Sequence, residues 1–119
     1  MNVEEYFNSL IERSRILREW RKYVSEIERA ATKLLGKVEV YVFGSAVRGE
    51  LVGGSDIDIL IVSDNVPEGN IERAVLKAEI ERLAKLSRNH PFEIHLANRR
   101  EAKWYYKIKS LKPIKEIIH

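Results

Sequence analysis

The chain of 119 residues contains no cysteine. Disulfide frameworks, thiolate metal centres and a cysteine nucleophile are therefore excluded. Glutamine is absent too, while Lys, Glu and Arg are abundant, a bias shared with thermophile proteins. No apolar run approaches the ~18 residues that a membrane helix needs. Glu4, Glu5, Glu12 and Arg13 interrupt the first apolar stretches, so no secretory signal is read there and a cytoplasmic protein is expected. There is no internal repeat, no low-complexity tract and no block of one charge sign. The 21 basic and 18 acidic residues are interspersed, giving a net charge of +3. That mild excess suits a polyanion such as ATP, and the lack of a basic tract argues against nucleic acid as partner.

What is present is a globular composition, 45% hydrophobic and 33% charged. The length predicts one domain over residues 1–119. It has room for a three- or four-stranded sheet with helices, but not for a separate substrate domain.

Apolar residues recur at three- and four-residue spacing from residue 3 to 35, from Tyr6 through Trp20 and Ile27 to Leu35. They predict one helix, or two with a break near Ser14, closed by Gly36. Val38–Phe43 reads as a β-branched and aromatic strand, and Asp56–Val62 as a second, with Ile57, Ile59 and Ile61 facing the core. Residues 46–50 predict a short helical turn and 52–54 a mobile loop. Ile71–Ser87 reads as a helix and Phe92–Leu96 as a third strand. Asn98 is placed to cap a last helix running to about Lys109, which Pro113 follows.

The chemistry gathers at the strand ends. Gly44-Ser45 closes the first strand, and Asp56 and Asp58 open the second. Alternate strand residues share a face, which sets Asp56 and Asp58 together with Cα atoms about 6.5–7 Å apart. If the third strand lies beside the second, Glu93 joins them. Carboxylates this close repel unless a cation lies between them. Hard oxygen donors of this kind suit Mg²⁺ or Mn²⁺ shared with substrate phosphates, and two ions would serve an in-line displacement. Glycine lets the Gly44-Ser45 backbone approach phosphate closely, and Arg48 offers a planar fork to the same group. Glu93 is the candidate base for the attacking hydroxyl. His95 shares its face.

Gly44-Ser45-x-x-Arg48-Gly49 followed by Ser55-Asp56-Ile57-Asp58 resembles the signature of the DNA polymerase β-like nucleotidyltransferase superfamily. The small size is similar to its minimal branch, which includes antitoxins paired with HEPN-domain toxins. The resemblance implies an α/β (α+β) nucleotidyltransferase fold, a short mixed sheet with helices packed on one face. It implies that Asp56 and Asp58 hold two Mg²⁺ ions, with Mn²⁺ an alternative, and that Glu93 supplies the third carboxylate. Glutamate stands there where aspartate is common in the family. Gly44, Ser45, Arg48 and Ser55 would serve the nucleotide. The implied reaction moves AMP from ATP to a hydroxyl, a tyrosine on a HEPN toxin, with release of pyrophosphate.

Each motif alone has a plainer reading: a solvated Asp-x-Asp pair, a tight Gly-Ser turn, an ion pair of Arg48 with Glu50 or with Asp56. Their spacing together reverses the first two and leaves both readings of Arg48 open. Trp104, Tyr105 and Tyr106 cannot all face one core on a helix, so a partner surface is expected there. With no second domain, the acceptor must come from another molecule, a protein partner or a second copy. Two other functions fit the same residues. One is a non-catalytic module that neutralises a partner by contact. The other is nucleotidyl transfer to a small molecule such as an aminoglycoside.

Overall fold

A computed structural model describes residues 2–45, 47–49 and 56–118. Ser55, the turn expected over 46–50 in its full extent and the loop expected at 52–54 lie outside the described residues.

Two helices open the chain, α1 (Val3–Arg18) and α2 (Trp20–Leu35). The break falls at Glu19, not at Ser14. There the backbone leaves helical geometry (φ −110°, ψ 25°) and the Glu19 N–H reaches back to both Arg15 and Ile16 carbonyls. The tightened turn lets Ile16, Leu17 and Trp20 enter one core. Gly36 ends α2 at φ +80°. Next come β1 (Glu39–Phe43), β2 (Ile57–Val62), α3 (Asn70–Leu83), β3 (Phe92–Ala97), α4 (Arg99–Tyr105) and a two-residue β4 (Lys112–Pro113). α3 stops at Leu83, four residues short of the expected end, because Lys85 turns into the left-handed region (φ 57°). α4 begins on a capping box, with Asn98 and Glu101 each bonding the other's backbone N–H.

The sheet order is β3-β2-β1-β4. β1 pairs antiparallel with β2 and β4, whereas β2 and β3 run parallel. The sheet is therefore mixed, as the α+β reading expects. Strand alternation sorts the side chains. Val40, Val42, Ile57, Ile59, Ile61, Ile94 and Leu96 form the main core with α1, α2 and α3. Burying each such aliphatic side chain contributes roughly 1.5–3 kcal/mol. The opposite face is not bare. Leu60, Val62 and Ala97 pack there against Ala102 and Tyr105 of α4. Helices on one face thus describes α1 to α3, while α4 covers part of the other face. No helix among the described residues is long and apolar enough to cross a membrane.

Candidate active site

The site grows from the face that α4 only partly covers. Asp58 and Glu93 are direct partners in the parallel β2–β3 register, and Asp58 is also opposite Phe43 of β1. Pairing to both neighbours places three strand ends at one spot. Asp58, Glu93 and His95 offer ligand atoms that all lie within 4.8 Å of one another. His95 Nε2 is 3.1 Å from Asp58 Oδ1 and 3.9 Å from Glu93 Oε1. The imidazole is held between Phe43 and Tyr105, with ring centroids 5.2 and 5.7 Å away. Burial pushes the Tyr105 phenol above its ordinary pKa, so it stays protonated near neutrality.

Gly44 presses on this cluster. Its φ is +91°, and a Cβ built on it would lie 2.7 Å from Asp58 Oδ2. Only a residue without a side chain lets the turn approach that carboxylate. The Gly44 N–H donates to Ser110 Oγ at 3.1 Å. Ser45 begins the turn, its carbonyl accepting from the Arg48 N–H at 3.1 Å. Arg48 is exposed and lines an open cleft of about 390 Å³ with Ile108, Lys109 and Ser110. A second cleft, about 320 Å³, lies along the edge strand β3 and is lined by Glu93, His95, Tyr105, Arg73 and Lys77 among others. The cluster therefore has a basic cleft on its β1 side and another cleft on its β3 side.

Asp56 is placed differently from the strand-alternation expectation. It precedes β2, and its Oδ1 is 2.6 Å from Arg13 Nη2 of α1. Arg13 also donates to the His90 carbonyl at 3.4 Å. Asp58 and Glu93 come together, and Asp56 stands in an ion pair beside them. Two carboxylates and an imidazole make a donor set that fits a divalent ion, and the imidazole favours Mn²⁺ over Mg²⁺.

Ser110 and Lys109 were not foreseen as neighbours of the Gly44 turn. They lie 65 or more residues away in sequence, and no local pattern marks them. His95 did carry a signal, since it shares a strand face with Glu93.

A family model described as nucleotidyltransferase domain matches residues 17–118. Among solved structures, one titled as an inferred nucleotidyltransferase is 32% identical, with a TM-score of 0.60, covering 76% of this chain and 95% of its own. A second, an inferred nucleotidyltransferase from Sulfolobus solfataricus, is 27% identical with a TM-score of 0.51, covering 88% of this chain and 85% of that one. A toxin–antitoxin structure with AMP-PNP shares the fold at 21% identity and a TM-score of 0.53, covering 76% of this chain and 70% of that one. No curated protein matches.

Proposed function

The chain belongs to the nucleotidyltransferase domain family, and from that premise we propose that it moves AMP from ATP to a hydroxyl, the acceptor being a tyrosine on a HEPN-type partner. The observation that carries this reading is the convergence of Asp58 and Glu93 under the Gly44 turn, between two clefts. The family generally uses a divalent metal and a nucleoside triphosphate. In this reading Asp58 and Glu93 hold the metal, Mg²⁺ or Mn²⁺, with Asp56 joining once released from Arg13. The metal, when bound, offsets charge on the phosphoryl oxygens.

The chain's own groups do the rest. The cleft at Arg48 and Lys109 takes the outer phosphates, where two cations and the Gly44-Ser45 turn favour a polyanion. Ser55, which lies outside the described residues, is assigned a supporting role. The acceptor enters by the β3 cleft. Its oxygen attacks the α-phosphorus, the bond from that phosphorus to the bridging oxygen breaks, and pyrophosphate leaves toward Arg48. The hydroxyl proton passes to Glu93, which lines that cleft.

The Arg13–Asp56 pair favours a second reading, a module that neutralises its partner by contact and does no chemistry. One experiment separates them. ATP labelled at the α-phosphate is incubated with Mg²⁺ or Mn²⁺, a co-expressed HEPN-type protein and either wild type or Asp58→Asn. Transfer predicts a labelled partner band that the variant loses together with neutralisation. Neutralisation that persists in Asp58→Asn, with no band in either, establishes the contact reading.

A further inference from the structure

The family match begins at residue 17, so nearly all of α1 lies outside it. Within α1 only Ile16 and Leu17 are buried. Val3, Tyr6, Phe7, Leu10 and Ile11 are exposed at 71, 53, 56, 40 and 66%. At 100° per residue these five fall within an arc of roughly 140°. Toward the end of the helix the same arc holds the exposed Ser14 and Arg18 and the buried Leu17, where it meets the core. The exposed half is well-formed helix. Asn2 and Glu5 close a capping box, and Glu4 and Glu5 suit the positive end of the dipole. A capped helix whose first three turns carry an apolar stripe left exposed by the described residues offers a surface for something else to cover.

We propose that a second copy of this chain covers it, with the two α1 helices antiparallel about a two-fold axis near Leu10. The charges select this occupant. Glu4 and Arg15 flank the stripe on the same side, about 20° apart by helical count. Both are exposed; among the described residues Glu4 forms no ion pair, and Arg15 forms none shorter than 4 Å, with only a weak attraction to Glu12. A two-fold axis across antiparallel helices brings equal flanks together and reverses their order. With the axis between residues 9 and 10, Glu4 meets Arg15 of the partner subunit, and the pair occurs twice. Leu10 then packs on Leu10 of the partner subunit, and Phe7 on Ile11 of the partner subunit. In a parallel arrangement the two-fold axis runs along the helices and puts equal flanks on opposite sides, so Glu4 and Arg15 would not meet. A surface of one charge sign would match only one end of the stripe.

Sedimentation velocity of the whole chain over a range of concentrations tests this. Wild type is expected at twice the 13.9 kDa chain mass. Leu10→Glu is expected to sediment as a monomer. Glu4→Arg and Arg15→Glu, both surface changes, are each expected to raise the dissociation constant about tenfold, because two pairs turn repulsive. The double change Glu4→Arg/Arg15→Glu restores the wild-type constant. Circular dichroism confirms that each variant is folded. Three outcomes overturn the proposal: a wild-type monomer at every concentration, a dimer indifferent to Leu10→Glu, or a double variant as weak as the single ones. If Leu10→Glu instead abolishes binding of a HEPN-type partner and leaves the self-association state unchanged, the stripe belongs to that partner.

Discussion

At φ +91° Gly44 holds a backbone conformation that costs an L side chain about 1–3 kcal/mol. Gly44→Ala adds a methyl 2.7 Å from Asp58 Oδ2 as well, so the carboxylate must move. The expected outcome is a stability loss of about 2 kcal/mol in a denaturant titration, and Mn²⁺ affinity at least ~tenfold weaker by calorimetry. Arg13 acts in the opposite sense. Its pair with Asp56 is half in solvent, the two side chains being 23% and 57% exposed, and such pairs contribute only about 0.2–1 kcal/mol. Arg13→Gln is therefore expected to change the unfolding midpoint little. It frees Asp56 for a cation, so Mn²⁺ affinity should rise about two- to fivefold. Unchanged affinity would mean that Asp56 is no ligand.

Among the elements, α4 depends most on a few polar contacts. Glu101 serves its capping box and also receives both Arg73 guanidinium nitrogens, at 2.8 and 3.1 Å. The same guanidinium reaches the Leu96 carbonyl on β3 at 3.2 Å, so α3, β3 and α4 meet at one side chain. Arg73 and the Asn98 backbone hold the Glu101 carboxyl below its ordinary pKa. A depressed carboxyl stabilises the fold above its unfolded pKa, about 4.3, and loses that contribution as pH falls through the folded value. Glu101→Gln should cost about 1 kcal/mol at neutral pH, discounted for its partial exposure. The difference from wild type should shrink below pH ~4, as read from urea midpoints across an acid series. The Asn98 cap and the strand faces that carry Asp58 and Glu93 could be read from local pattern, whereas their pairing needs β3 to lie beside β2. Asp56 could not, because its partner Arg13 is 43 residues away on another element. Nor could the second small core. It rests on Ala102 and Tyr105, and two contacts on a seven-residue helix leave no periodic signature.

For the molecule as a whole, the proposed metal site would link β2 to β3 through Asp58 and Glu93 and would form only in the folded chain. Saturation at a hundredfold over the dissociation constant adds about 2.7 kcal/mol, or a rise of roughly 10 °C in Tm. Chelation should reverse the rise, and Asp58→Asn should abolish it in differential scanning calorimetry. The parallel register of β2 and β3 has a consequence in time as well. The hairpin of β1 and β2 can close early, carrying Gly44 and Asp58 with it. Glu93 joins only after the chain has looped through α3 and returned alongside β2. Long-range pairing of this kind is slow. In stopped-flow refolding, Mn²⁺ capture should trail helix formation and follow the slowest phase. During synthesis, a ribosome must therefore release β3 before the nascent chain can bring Asp58 and Glu93 together.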